Sequence, residues 1–251
     1  MSGEEQRSAV ITGGGGGIGR AIAKAFASSG IRVAVLGRDR DRLDTTVREL
    51  GPTAIAHQVD VGSRDQVAQA MGDIVKAFGQ IDILVNNAGI ARWVTTKSAL
   101  DEAENAMDEV YRTNVKGPYF MALAAAPHLR RPGGRIINIS SITAFSGGHG
   151  PGSMAYATSK SALLGLTFAL ARELSSDGIT VNAVAPGLIA DTEFNRDYPD
   201  EYQRAIVKET PVGRKGTVDD VVAAVLYLAS PGASFVTGEI LAVNGGRLFG
   251  R

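Results

Sequence analysis

The chain has no cysteine among its 251 residues, which excludes a disulfide framework and thiolate metal sites. Histidine is nearly as scarce. Only His57, His128 and His149 are present, none at ligand spacing from another, so no metal site is expected. An excess of charge is also missing: Lys plus Arg and Asp plus Glu number 26 each. That balance gives no electrostatic basis for a nucleic-acid or membrane partner. No apolar run approaches a membrane span, since the longest, Ala162 to Ala171, is short and contains Gly165 and Thr167. Met1 to Arg7 is polar and the apolar stretch behind it is too short for a secretory signal, so a soluble, cytoplasmic protein is expected.

Glycine, in contrast, is abundant, at 31 residues. Its densest stretch follows an apolar strand: Ala9-Val10-Ile11-Thr12-Gly13-Gly14-Gly15-Gly16-Gly17-Ile18-Gly19-Arg20. An amphipathic helical pattern starts at about Ile18. Strand, glycine loop and helix in that order form a pyrophosphate cradle, because glycine lets the backbone approach the phosphates and the helix N-terminus faces their charge. The register is ambiguous. Gly14, Gly16 and Gly19 satisfy G-x-G-x-x-G, whereas Thr12-Gly13 with Gly17-Ile18-Gly19 satisfies T-G-x-x-x-G-x-G.

Seven short β-rich runs alternate with helical patterns along the chain. The strands are expected at Ala9–Thr12, Arg32–Leu36, Ala54–Gln58, Ile83–Asn86, Arg135–Ser140, Thr180–Val184 and Glu239–Val243. Helices are expected at Ile18–Ser29, Arg40–Leu50, Arg64–Phe78, Leu100–Pro127, Ala155–Ser176 and Val218–Ala229. Most strands are continuously apolar, as in a parallel sheet covered on both faces. The pattern predicts one α/β, doubly wound, Rossmann-type domain over residues 1–251, with ligands at the carboxyl ends of the strands. Residues 187–212 lack periodicity but carry Phe194, Tyr198 and Tyr202, and read as a substrate lid or as a surface excursion.

Tyr156 and Lys160 stand one helical turn apart on a single face. An ammonium beside a phenol favours the phenolate, so the tyrosine is expected to exchange a proton below its ordinary pKa of about 10. With a serine hydroxyl from Ser140-Ser141 nearby, that pair suits acid–base work on a ketone or alcohol oxygen.

Taken together, these residues resemble the short-chain dehydrogenase/reductase family over almost the whole chain. The resemblance is carried by Thr12–Gly19, Asp60-Val61, Asn86-Asn87-Ala88-Gly89, Asn114, Ser141, Tyr156-x-x-x-Lys160, Pro186-Gly187 and the closing Val236-Thr237-Gly238-Glu239 and Val243-Asn244-Gly245-Gly246, in the family's order. It implies a seven-stranded parallel sheet, a nicotinamide cofactor and a homotetramer. It also implies that Asn114, Ser141, Tyr156 and Lys160 carry the chemistry, with Ser140 as the fallback for Ser141 and Asn114 holding a water in a proton relay to Lys160. The cofactor would be held by Gly13, Gly17, Ile18, Gly19, Asp60, Val61, Asn87, Ala88, Gly89, Tyr156, Lys160, Pro186, Gly187 and Ile189. A threonine that meets the carboxamide in relatives falls on Asp191 here, with Thr192 one residue later.

In NAD-type relatives an acidic residue follows the second strand; that position is Gly37 here, and Arg38 is next. A guanidinium with no carboxylate beside it suits a 2′-phosphate, so NADP(H) is expected over NAD(H). Asp39 competes with this reading unless it caps the following helix. Within the family the chain looks most like the bacterial 3-oxoacyl-[acyl-carrier-protein] reductase branch. A docking arginine of that branch is replaced by Asp177, although Arg130 and Arg131 stand near a second basic position, so an acyl carrier protein partner stays open. The pocket is expected from Trp93, Ile142, Phe145, His149, Met154, Leu188, Phe194 and Tyr198. A mainly apolar site of that kind suits an acyl, aryl or alicyclic ketone. His149 reads better as a solvent-facing loop residue than as a substrate donor. The alternatives are an NAD(H)-dependent alcohol dehydrogenase, a sugar-nucleotide epimerase relative, and a non-catalytic nucleotide sensor.

Overall fold

The computed structural model describes residues 6–192 and 198–249. Seven parallel strands form one sheet: β1 (Ser8–Thr12), β2 (Arg32–Gly37), β3 (Ala54–Gln58), β4 (Ile83–Asn86), β5 (Arg135–Ile139), β6 (Thr180–Pro186) and β7 (Ile240–Val243). Their order is β3-β2-β1-β4-β5-β6-β7. The order reverses between β1 and β4, and a crevice opens at their carboxyl ends, where an open α/β sheet takes its ligand. Every residue of β1, β4, β5 and β6 is buried, which accounts for their unbroken apolar runs.

Helices α1 (Gly17–Ser28), α2 (Arg40–Leu50), α3 (Arg64–Phe78), α4 (Leu100–Tyr111), α5 (Gly117–Ala125), α6 (Thr143–Ser146), α7 (Met154–Leu174), α8 (Asp200–Lys208) and α9 (Val218–Ala229) complete the described chain. One core layer joins α3, α5 and α7 to the sheet through Met71, Ile74, Met121 and Leu170. The other joins α1, α2 and α9 through Ile22, Phe26, Leu43 and Val225. Two layers around one sheet make a single Rossmann-type body.

The helix expected over Leu100–Pro127 is not continuous. A π-helical turn, Arg112–Lys116, separates α4 from α5. Pro118 is the cause: it lacks an N–H, so the carbonyl four residues earlier, that of Asn114, has no α-helical donor. Two short helices, α6 and α8, were not expected from the sequence. The second lies within the non-periodic stretch 187–212 and presents Tyr202 and Ile206 to the crevice.

Candidate active site

The glycine loop settles its own register through backbone geometry. Gly13 and Gly17 adopt φ of +68° and +48°, a region that only glycine enters cheaply. A Cβ on Gly19 would stand 2.3 Å from the Gly13 carbonyl oxygen. Gly16, by contrast, is extended, at φ −170°. The Thr12-Gly13, Gly17-Ile18-Gly19 reading therefore fits. Thr12 Oγ1 accepts from the Asn87 and Ala88 N–H groups at 2.9 and 3.0 Å, and the Asn87 amide donates back to the Thr12 carbonyl at 3.0 Å. These bonds tie the ends of β1 and β4 together beside the loop.

One cavity of about 570 Å³ runs from this loop across the strand ends. All of the expected site residues line it except Gly19 and Asn114, which support it from behind. Gly19 packs on Gly13, and a Cβ on Gly89 would meet both Lys160 Nζ and Asn114 Oδ1. At the loop end, α1 begins without a side-chain cap, and Gly17 and Ile18 of its first turn line the cavity. No side chain stands within 4 Å of where a Gly17 Cβ would be. An open cradle of this kind fits a dinucleotide pyrophosphate.

Beyond it lie Gly37, Arg38 and Arg42. Asp39 does not compete for the ribose, because its carboxylate accepts from Arg42 N and caps α2. Arg42 escaped the sequence analysis. Its guanidinium would come within 3.2 Å of a Cβ on Gly16, so it reaches back over the glycine loop. The signal that could have found it is its place in the first turn of α2, four residues after Arg38. The cradle is thus of the NADP(H) type, with no carboxylate at the end of β2 and two guanidinium groups close by. Asp60 lines the same end, ion-paired with Arg112 and accepting from Gly62 N at 2.9 Å.

At the far end of the crevice stand Ser141, Tyr156 and Lys160. The Ser141 hydroxyl faces the Tyr156 phenol and favours its ionised form, and Ser141 Oγ accepts from Thr143 N at 3.1 Å. Ser140 is spent elsewhere, donating to the Lys160 carbonyl at 3.0 Å. Of the two hydroxyls, that of Ser141 is the one facing Tyr156. Asn114 donates to the Ile90 carbonyl and to Ser159 Oγ and accepts from Ile90 N, which pins the π turn beneath Lys160.

The electrostatics differ from expectation. Burial pushes the Tyr156 phenol above its ordinary range, with only the Ser141 hydroxyl acting against it. Lys160 does not offset this. Its ammonium is turned to the Ile139 carbonyl, and burial brings its own pKa down to about 8.

The loop after β6 resolves the displaced threonine. Asp191 adopts a left-handed φ of 55° and is exposed, whereas Thr192 is buried against the cavity with its hydroxyl on the Ile189 carbonyl. Of the expected substrate pocket, Trp93, Ile142, His149, Leu188 and Tyr198 line the cavity. Phe145 does not; it packs against the core cluster that includes Ile142, Leu164 and Ile240. Met154 is exposed outside it. Phe194 lies outside the described residues. His149 does not face solvent as expected: its ring stacks edge-on against Tyr202 at 5.1 Å and forms part of the wall. Arg130 and Arg131 are both engaged within the chain, by buried Asp82 and by Asp177 respectively. Among the described residues no cluster of metal-ligating groups occurs, and no helix is long and apolar enough to cross a membrane.

Residues 14–247 match the family described as Enoyl-(Acyl carrier protein) reductase. A 3-oxoacyl-[acyl-carrier-protein] reductase FabG of Staphylococcus aureus is 38% identical over 245 residues, covering 96% of this chain and 97% of that protein. The protein of the same name from Thermotoga maritima is 34% identical over 246 residues, covering 96% and 98%. A solved mutant of a Serratia marcescens short-chain dehydrogenase/reductase superposes with a TM-score of 0.88 at 36% identity, over 97% of this chain and 98% of that one. The chain belongs to the short-chain dehydrogenase/reductase family. As a short-chain dehydrogenase/reductase it is an NAD(P)-dependent oxidoreductase acting on CH–OH donors.

Proposed function

We propose that the protein interconverts a free ketone and its secondary alcohol with NADP(H). The observation that carries this reading is that Ser141, Tyr156 and Lys160 line the same crevice as the Gly37-Arg38-Arg42 cradle. Gly13, Gly17, Ile18, Asn87 to Gly89, Pro186, Gly187, Ile189 and Thr192 would hold the dinucleotide, and Arg38 with Arg42 would clamp its 2′-phosphate. A bound nicotinamide supplies the hydride that the carbonyl carbon accepts. Tyr156 holds the proton that the substrate oxygen needs, and its high pKa keeps that proton in place across neutral pH. Ser141, oriented by Thr143 N, has its own proton to give to the same oxygen. The Lys160 charge stabilises the phenolate left after the transfer. The Asn114 carbonyl, deprived of an α-helical donor by Pro118, receives a water that restores the proton by way of Lys160.

A second reading, a 3-oxoacyl thioester as substrate, is favoured by the names of the relatives. Internal pairing of Arg130 and Arg131 speaks against docking of an acidic carrier at those two positions. A cytoplasmic homotetramer belongs to the same proposal. Exposed Leu100, Met107, Tyr119, Leu123 and Phe168 on α4, α5 and α7 would give such an assembly apolar surface to cover.

The test is NADPH oxidation followed at 340 nm against aryl ketones, cyclic ketones and 3-oxoacyl thioesters. Tyr156→Phe should lower kcat by roughly 10²- to 10⁴-fold while leaving NADPH binding in place. Silence of the wild type on every substrate class would favour a nucleotide sensor instead.

A further inference from the structure

We infer that the ketone taken by this enzyme carries a carboxylate, and that Arg247 is the residue that selects it. The inference rests on the oxidoreductase reading above and names the substrate class of that same site. Three segments distant in sequence converge at the substrate end of the crevice: the loop holding His149, the end of α8 with Glu209, and the tail after β7 with Arg247. Arg247 Nη2 donates to His149 Nδ1, and Glu209 Oε2 lies 3.3 Å from both of those nitrogens. A guanidinium has no acceptor, so in the Arg247 contact Nδ1 of the imidazole accepts.

The side chains of Arg247 and His149 are only 17% and 19% exposed, whereas that of Glu209 is 56% exposed. A permanent cation is therefore held in a partly dry wall, against a carboxylate that water screens. Arg247 uses one guanidinium nitrogen for both contacts, and Nη1 and Nε make no hydrogen bond among the described residues. Around it the wall is aromatic. Trp93 meets Tyr198 at 5.8 Å, Tyr198 meets Tyr202 at 5.1 Å, and Tyr202 meets His149 at 5.1 Å. Among the described lining residues the only carboxylates are Asp39 and Asp60, both at the adenosine end. An aromatic slot closed by a half-buried guanidinium with donors to spare matches an apolar ketone ending in an anion. Burial raises the Tyr198 phenol to about 12, so that wall residue carries no charge at neutral pH.

The experiment uses Trp93, the only tryptophan, as the reporter of pocket occupancy. Quenching of its fluorescence is titrated with benzoylformate, 3-benzoylpropionate and 4-benzoylbutyrate, and with the methyl ester of each. NADPH oxidation by the same six compounds is followed in parallel. At least one acid should bind roughly 10- to 100-fold more tightly than its ester, as a charge-assisted pair in a partly dry site implies. In Arg247→Gln that ratio should collapse to about one, while Arg247→Lys, which keeps charge but loses the fork, should retain part of it. If Arg247→Gln does not fold, the salt dependence of the wild type decides: acid affinity should fall with added NaCl and ester affinity should not. Esters binding as well as acids, a preference surviving Arg247→Gln, or no saturable quenching by any acid would overturn the inference. Binding with the expected preference but no NADPH oxidation would leave the selectivity standing and sink the oxidoreductase reading instead.

Discussion

The Lys160 ammonium donates to the Ile139 carbonyl at 2.8 Å and lies 5.7 Å from the centre of the Tyr156 ring. The amine is thus anchored to the end of β5 rather than to the phenol, and in the proposed mechanism its charge would reach the phenolate across that distance. Both groups are buried, so each resists charge, and the two pKa values move apart: the phenol's rises above its ordinary range while the amine's falls to about 8.

That relationship fixes a pH dependence. With a pKa of about 8, Lys160 is charged at pH 7 and neutral by pH 10. Once it is neutral, nothing offsets the phenolate formed when Tyr156 gives up its proton. Ketone reduction is therefore expected to be flat from pH 6 to 7.5 and to fall as pH rises through about 8. A kcat/KM profile level to pH 10 would show that the lysine charge is irrelevant.

The same burial gives a stability prediction whose sign follows from linkage. The folded pKa of Lys160 lies below its unfolded value, so the unfolded chain binds more protons between about pH 8 and 10.5. The penalty for burying the ammonium is full below pH 8 and fades as pH rises through that window. Lys160→Met should therefore be inactive yet more stable than wild type at pH 7, by about 1 to 3 kcal/mol. The gain should vanish near pH 10.5. Urea unfolding at the two pH values measures both quantities, and an equal difference at each would contradict the burial argument.

Cofactor choice rests on Gly37. A Cβ there would meet Leu43 at 3.5 Å, which is ordinary contact, and its φ is not one reserved for glycine. Gly37→Asp is consequently tolerated by the fold and places a carboxylate where the ribose 2′-position is read. NADPH should lose roughly 10- to 100-fold in kcat/KM, and NADH should gain. Arg42→Ala should weaken NADPH by a similar factor with little effect on NADH. If both variants kept the wild-type preference, the phosphate would have to be held elsewhere.

Most of the fold was legible because each strand is a short apolar run ended by glycine or polar residues, and helix caps such as Asp39 and Thr217 mark the turns. The candidate site was legible because Tyr156 and Lys160 share one helix and Ser141 follows one strand end. What escaped depended on distance or on a missing proton. The Asn114 π turn arises from Pro118, a local signal that helical periodicity conceals. Arg42 and Arg247 joined the crevice only when the chain folded, and His149, expected in the pocket but read as facing solvent, proved to be part of its wall. The Tyr156 pKa was misjudged because helical spacing reports adjacency and not burial, and burial prevailed.

The last prediction concerns Asp191, whose left-handed backbone places the next residue, Thr192, against the cavity. Asp tolerates that region, glycine enters it at no cost, and a β-branched residue is strongly disfavoured there. Asp191→Gly should keep the loop as it is and leave the Kd for NADPH within about twofold of wild type. Asp191→Val should force the backbone out of the left-handed region and withdraw Thr192, weakening NADPH by roughly tenfold. Thr192→Val removes the hydroxyl without moving the backbone, so it separates the two effects. If the hydroxyl is what contacts the cofactor, Thr192→Val should match Asp191→Val; if packing alone matters, it should resemble wild type. Fluorescence titration of NADPH against the three variants measures the difference. Equal affinity in all three would mean that the threonine displaced by one position makes no contact with the cofactor.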